Sequence, residues 1–266
     1  MNKKFYQNEK FQAFFFPILY LILAISIVVA SCYIFKQKYY QPIIVDGKSM
    51  QPTLAGGLST QSIDGKTYTL RYTYGLADVH SHSVNNIKRF DVIVTYYPKS
   101  WGTDKHYKIK RVWGFPGETI SLRYDSEEKT YTFTATKDGK TEKYVSTVQD
   151  SYTRTFEFER TENNKRVYKK STITYTSVGF KLKHKTFNVH SATRRTIDNY
   201  VLGKSEYFVM GDNWSESTDS YERMNNVSKL TRKYLRGQVL YVNASISLSS
   251  SGDPINFHYY SPRYNF

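Results

Sequence analysis

The sequence predicts a mostly β protein that carries one transmembrane helix at its N-terminus. Aromatic residues make up 17% of the chain, with 25 tyrosines, and aromatic and β-branched side chains fit the pleated surface of a sheet. Asp64-Gly65 and Asp138-Gly139 separate alternating runs, which is typical of tight hairpins. Residues 11–35 contain no charged side chain. These observations define a β domain behind an apolar segment.

The apolar segment is long enough to cross a membrane. As a helix, about 25 residues span roughly 37 Å, more than a bilayer core requires. We predict a transmembrane helix over 11–35, preceded by a short tail over 1–10. Lysines stand on both sides of the segment, so the positive-inside rule gives no orientation.

A cleaved N-terminus is the competing interpretation of the same segment. Val29-Ala30-Ser31-Cys32 resembles the lipobox of bacterial lipoproteins, whose cysteine is acylated. The apolar run continues beyond Cys32 to Phe35 and is longer than a usual signal peptide core. A retained helix is therefore favoured, while a lipoprotein or simple cleavage stays open. Cys32 is the single cysteine, so no intramolecular disulfide can form.

The charge balance indicates an anionic partner. Lys and Arg total 38 against 23 Asp and Glu, a formal net charge of +15. A balance this basic is typical of proteins that meet nucleic acid or a phospholipid surface. Charge alone does not choose between these two partners.

The rest of the chain reads as one soluble part with an insertion. Residues 37–124 and 201–246 form a discontinuous β domain in this interpretation. The segment 125–200, with alternating Thr, Tyr, Phe and Lys, is an inserted β subdomain, and 247–266, which lacks a pattern, is a loose tail. Strands are expected at 43–45, 91–97, 106–112, 119–124, 207–210 and 237–242.

Ser49 follows one of these strands. The strand ends near Gly47, and Pro52 stops it from resuming, so the serine lies on a turn. A lone serine of this kind is ordinarily a loop residue. It becomes a nucleophile only when a base lies within reach.

Lys110 lies on a strand that runs into a Gly-Phe-Pro-Gly turn. Alternation puts Lys108 and Lys110 on one face, and a solvated basic strand edge is the ordinary interpretation. An exposed lysine is protonated at pH 7 and cannot accept a proton. Burial would lower its pKa and make Lys110 a usable base.

Two further segments are ambiguous by themselves. The strand and acidic turn over 207–220 would suit a cation loop or a cluster of Asx turns equally well. Asp78, His80 and His82 could suggest a metal site or a Ser/His/Asp triad with Ser49. A lone His-x-His pair is most often incidental, so we predict no metal.

Taken together and in this order, these segments resemble the signature boxes of bacterial type I signal peptidases. Lysine at position 110 matches the Ser/Lys type of bacteria, and Gly47 resembles the Gram-positive members. The matching residues are Ser49, Met50, Pro52, Thr53 and Leu54, then Asp91 through Val94, then Lys110, Arg111, Gly114, Pro116 and Gly117, and finally Gly211, Asp212, Asn213, Ser217, Asp219 and Ser220.

Three positions depart from the family pattern. Phe90 stands where glycine is usual, Glu118 replaces aspartate, and Tyr221 replaces arginine. The last change puts in doubt a salt bridge to Asp219. Arg223 is close enough in sequence to substitute for the missing arginine.

The resemblance implies a signal-peptidase-like β catalytic domain with a Ser/Lys dyad. Ser49 would be the nucleophile and Lys110 the general base. The supporting residues it implies are Ser217, to orient the lysine, with Asp219 and Arg111, and Gly47, Met50 and Pro52 for substrate and oxyanion binding, with the Ser49 N–H as oxyanion donor.

The resemblance also implies the partners. Preproteins would bind as extended strands and be cut after small residues at −1 and −3, outside the cytoplasm and next to an anionic membrane surface. The secretion translocon is a further expected partner, nucleic acid is not, and no metal or organic cofactor is needed. Two alternatives stay open: a self-cleaving Ser/Lys peptidase, and an inactive peptidase-like surface binding protein or lipoprotein.

Overall fold

A computed structural model describes residues 9–57, 59–102, 106–183 and 186–264. The chain divides into two compact units at Gln41 and Pro42. The predicted tail over 1–10 lies mostly outside the described residues.

The first unit is dominated by the helix α1, Glu9–Tyr39. Within it, Gln12–Lys36 has a mean hydropathy of 2.7, and none of its side chains is buried within the protein. A helix of this length that exposes apolar side chains all round suits a lipid environment. The predicted transmembrane helix is confirmed as a long apolar helix.

The second unit is almost entirely β. Its strands, with the short helix α2 at Ser81–Asn85, are β1 (Tyr40–Val45), β2 (Thr60–Ile63), β3 (Lys66–Leu70), β4 (Tyr72–Asp78), β5 (Val92–Thr95), β6 (Lys108–Gly114), β7 (Thr119–Asp125), β8 (Thr130–Lys137), β9 (Lys140–Glu162), β10 (Lys165–Lys181), β11 (Thr186–His190), β12 (Ile197–Val201), β13 (Phe208–Met210), β14 (Leu235–Leu248) and β15 (Pro254–Arg263).

These strands form two sheets. The first has seven strands in the order β1-β4-β14-β5-β6-β13, with β15 also paired to β14. The second has eight strands in the order β11-β10-β9-β8-β7-β12, with the β2–β3 hairpin added through β3 and β9. The mostly β prediction is confirmed.

Both predicted hairpins are present. Asp64 and Gly65 join β2 to β3 with φ values of 51° and 71°, and Asp138 and Gly139 join β8 to β9 with 50° and 74°. Tight hairpin turns of this type need positive φ at both central residues. A third hairpin, which the sequence analysis did not predict, joins the long strands β9 and β10 through Asn163–Asn164.

The prediction of a loose tail over 247–266 is wrong. β14 continues to Leu248, and β15 pairs with it in antiparallel register, with Ser247 opposite Ile255 and Ala244 opposite Tyr259. Most side chains of β15 are exposed, so the strand shows no hydrophobic alternation. Backbone hydrogen bonds to β14 hold it without that pattern.

Aromatic side chains connect the two sheets around Phe90. This residue is fully buried, and its ring lies 5.0 Å from Trp113 on β6, 5.1 Å from Phe187 on β11 and 5.7 Å from Phe133 on β8. Phe90 has φ of +65°, an unfavourable conformation for a bulky residue. Aromatic packing offsets this strain.

Candidate active site

The Ser49 loop turns sharply after β1. Gly47 has φ of +88°, and a Cβ added at Gly56 would lie 2.3 Å from the Gly47 nitrogen. Both positions therefore require glycine, one for its conformation and the other for the close approach. Met50 is 1% exposed and packs into the core beneath β1. The buried Met50 side chain fixes the turn that carries Ser49.

Lys110 reaches this loop from β6. Its side chain is buried, and its Nζ lies 2.6 Å from Ser49 Oγ and 3.2 Å from the carbonyl oxygen of Ile109. The two residues are 61 positions apart in sequence. In the neutral form of the lysine, the serine hydroxyl donates to Nζ, which is the geometry of base activation.

The electrostatic surroundings favour the neutral amine. The pKa of Lys110 is lowered from 10.5 to about 8, chiefly by burial; Asp219 and Asp212 oppose this shift, while the nearby positive charges of Lys108 and Arg195 add to it. Desolvation disfavours the charged form of a lysine. Near pH 8, about half of the Lys110 side chains are therefore neutral.

Asp219 is held by an arginine that the sequence analysis missed. Nη1 of Arg195 donates to both carboxylate oxygens of Asp219, at 2.9 and 3.0 Å, and both side chains are almost completely buried. The guanidinium lies 4.7 Å from the ring centroid of Tyr221. The expectation that Arg223 pairs with Asp219 is wrong. Arg195, which lies in the connection between β11 and β12, forms the ion pair with this carboxylate instead.

Ser217 contacts Asp219 in the same network. Its Oγ donates to Asp219 Oδ2 at 2.5 Å, and the Gly211 N–H donates to the same oxygen at 2.8 Å. Among the hydrogen bonds of the described residues, none joins Ser217 to Lys110. A Cβ at Gly211 would lie 2.3 Å from both Ser217 Oγ and the Ser49 carbonyl oxygen, so Ser217 lies close behind the Ser49 loop.

Arg111 forms a second buried ion pair next to the site. Its Nε donates to Asp212 Oδ1 at 2.8 Å, and both side chains are completely buried. Nη1 donates to the carbonyl of Phe90 at 2.8 Å, and Thr53 donates to Asp212 Oδ2 at 2.5 Å. Through Thr53, this ion pair also connects to the loop that follows Ser49.

Asn213 holds the backbone of the Ser49 loop. Its N–H donates to the Ser49 carbonyl at 3.0 Å, and its Nδ2 donates to the Lys48 carbonyl at 3.2 Å. The Gly-Asp-Asn motif contained this residue, but the motif alone assigned it no role. The structure shows that it anchors the carbonyl groups of Lys48 and Ser49.

A cleft of about 370 Å³ opens beside Ser49 and Lys110. Met50 lines it, as do the end of β1 and residues 106–110. Gly47 and Pro52, also predicted for substrate or oxyanion binding, are not among its lining residues and instead shape the loop. His80 donates its backbone N–H to Asp78 Oδ1 at 2.9 Å in a local turn, and the side chain of His82 lies outside the described residues.

A serine hydroxyl beside a buried lysine, in an all-β domain, defines the class of serine hydrolases that use lysine as the base. A family model described as "Signal peptidase, peptidase S26" matches residues 18–242. The chain belongs to this family, which confirms the resemblance read from its motifs.

Two relatives illustrate the similarity. The chain is 28% identical over 221 residues to signal peptidase I P of Bacillus subtilis subsp. natto, covering 82% of this chain and 84% of the relative. It is 29% identical over 236 residues to signal peptidase I of Buchnera aphidicola subsp. Acyrthosiphon pisum (strain APS), covering 78% of this chain and 67% of the relative.

Proposed function

We propose that this chain is a membrane-bound signal peptidase that removes signal peptides from exported preproteins, with Ser49 as nucleophile and Lys110 as general base. The observation that carries the proposal is the 2.6 Å contact between Lys110 Nζ and Ser49 Oγ. It occurs in a buried setting where the pKa of the lysine is about 8, in a chain of the signal peptidase family.

The chemistry follows from this pair. Neutral Lys110 takes the proton of the Ser49 hydroxyl as Oγ attacks the scissile carbonyl, and a tetrahedral oxyanion forms. The protonated amine then gives its proton to the leaving amide nitrogen, and the peptide bond breaks to leave an acyl-enzyme. Water, deprotonated by the same lysine, hydrolyses the ester and restores Ser49.

The Ser49 N–H is the proposed oxyanion donor. No hydrogen bond among the described residues uses this N–H, although the Asn213 contact fixes the adjoining Ser49 carbonyl. A donor that is held in place and unused is available for the developing negative charge.

The cleft supports an extended substrate. It lies between the end of β1, an edge strand of the first sheet, and the start of β6. An edge strand presents free backbone groups with which a peptide can pair. Ile44, Met50 and Ile109 line the cleft beside the catalytic pair, which suits small apolar side chains at −1 and −3.

The α1 helix supports a single-pass membrane protein. We propose that the N-terminus is cytoplasmic and that the β unit lies outside the cytoplasm, where signal peptides emerge. The net charge of +15 suits contact with anionic lipid headgroups rather than with nucleic acid. The secretion translocon, which delivers the substrates, is the proposed neighbour in the membrane.

The test uses the full chain in nonionic detergent with a synthetic precursor that carries an Ala-x-Ala site. Wild type should cut at one bond, and Ser49→Ala and Lys110→Met should each lose about 10⁴-fold or more in kcat. Lys108→Gln, which removes a lysine from the same strand, should remain active. Mass spectrometry identifies the product ends.

Equal cleavage by wild type and both dyad variants would contradict the proposal. Binding of several precursors without cleavage by folded wild type would favour the alternative of an inactive binding protein.

A further inference from the structure

A second cavity lies away from Ser49 and Lys110. It has a volume of about 580 Å³ and is lined by β14 and β15 of the first sheet and by β9 and β10 of the second. This volume falls within the range of small-molecule binding sites. None of its lining residues belongs to the catalytic cleft.

The cavity is strongly basic. One carboxylate lines it, that of Glu157, and this group already binds Arg71 and His258. The remaining cationic residues in the lining are Arg154, Lys170 and Arg263. Among the described residues, none of these three has an acidic partner within ion-pair distance. The cavity therefore holds three cationic side chains without a counter-charge.

Arg154 is the most unusual of the three. Its Nη1 donates to the backbone carbonyl oxygens of Pro52 and Thr53, in the loop that follows Ser49. Burial lowers the pKa of its guanidinium, and the nearby tyrosines only partly oppose this shift. A desolvated guanidinium without an anion is costly, and a bound anion would offset that cost.

The cationic side chains of the lining suit a tetrahedral oxyanion. Ser261 adds a hydroxyl group to the lining, whereas the hydroxyl groups of Ser245 and Tyr260 already donate to Glu157 Oε2 and to the carbonyl oxygen of Ala244. Guanidinium groups bind phosphate oxygens through paired N–H donors, and a lysine adds a point charge. The cavity is thus equipped for a phosphate monoester or diester.

We propose that this cavity is a binding site for a phosphate group, held by Arg154, Lys170 and Arg263. Because Arg154 also holds the carbonyls of Pro52 and Thr53, the bound anion stabilises the loop that carries the nucleophile. The phosphate belongs either to a free anion or to a lipid headgroup. Binding does not depend on the peptidase activity and is measured separately from it.

The binding test uses the full chain in nonionic detergent at constant ionic strength. Isothermal titration calorimetry measures inorganic phosphate in one arm and phosphatidylglycerol added to the micelles in the other. Wild type should bind at least one probe at one saturable site. Lys170→Gln and Arg263→Gln should each weaken that binding about tenfold. Lys140→Gln, which removes an exposed lysine at the β8–β9 turn, should bind as wild type does.

The two arms of the binding test identify the source of the phosphate. Hydrogen exchange then tests whether the bound anion stabilises the loop that carries Ser49. Binding of phosphatidylglycerol alone assigns the site to a lipid headgroup, and binding of inorganic phosphate assigns it to a free anion. Saturation with the bound probe should slow amide hydrogen exchange across residues 48–55 in wild type and not in Arg154→Gln. Absence of binding in both arms, or equal binding by wild type, Lys170→Gln and Arg263→Gln, would overturn the proposal.

Discussion

The strands around Ser49 and Lys110 differ from the segment 125–200 in how they relate to the family. The strands around Ser49 and Lys110 carry the family motifs, whereas the segment 125–200 matches none of them. Two of the three positions that depart from the motifs nevertheless contact this segment. Phe90 packs on Phe133 and Phe187, and Tyr221 lies under Arg195.

The comparison shows that this segment supplies contacts to the candidate site. Arg195 supplies the cation for Asp219, and Arg154 holds the carbonyls of Pro52 and Thr53. The partner of Asp219, which the family motif places at position 221, is thus supplied from a region without a motif. The segment therefore contacts the candidate site directly, and the variants below test how much these contacts contribute to stability and activity.

The largest expected effect is at Arg195. Arg195→Met leaves Asp219 buried without its partner, which should lower the free energy of unfolding by about 3–5 kcal/mol. Since the charge of Arg195 also lowers the pKa of Lys110, the pH midpoint of activity should move upward. Urea unfolding and the pH dependence of kcat/KM measure the two effects.

Arg194→Met is the matched control, because Arg194 is exposed and next in sequence. It should change the free energy of unfolding by less than about 1 kcal/mol. Equal losses in the two variants would show that the segment contributes only general stability to the site.

A smaller effect tests the packing between Phe90 and this segment. Phe90→Ala and Phe90→Gly both remove the aromatic contacts, but only alanine keeps a side chain at φ of +65°. Glycine should therefore be the more stable replacement by about 1 kcal/mol, the reverse of the order in a regular strand. Alanine being the more stable of the two in chemical denaturation would mean that Phe90 is not strained.

The smallest effect is at Arg123, which forms an ion pair with Asp198 at 3.3 Å on the surface of the same region. Both side chains are largely exposed, and such pairs contribute about 0–1 kcal/mol. Arg123→Ala should leave the thermal midpoint and the activity almost unchanged. A loss as large as that of Arg195→Met would remove the distinction between buried and surface contacts.

The turns and the pairing of Ser49 with Lys110 could be predicted because each contributing signal is local. The Asp-Gly pairs Asp64-Gly65 and Asp138-Gly139 indicate positive φ directly. Ser49 and Lys110 each lie within a recognisable sequence motif. Asn163–Asn164 also adopts positive φ, but without a glycine it gave a weaker signal for a turn. The prediction of β15 failed for a related reason, since an edge strand held by backbone hydrogen bonds needs no apolar pattern.

The partner of Asp219 could not be predicted in the same way. Arg195 lies 24 residues from it, and no periodicity links the two positions. Arg223 lies nearer in sequence, so the sequence alone suggests it as the partner. Only the fold of the β11–β12 connection decides which guanidinium reaches the carboxylate.

The most direct test of the central claim, that Lys110 activates Ser49, is the pH dependence of kcat/KM for precursor cleavage. The base must be neutral, so activity should rise with pH and level off above a midpoint of about 8, the pKa of buried Lys110. Lys108→Gln removes a charge that lowers this pKa, so its midpoint should lie higher. A midpoint near 10.5, the ordinary value for lysine, or the same midpoint in both proteins, would contradict the account.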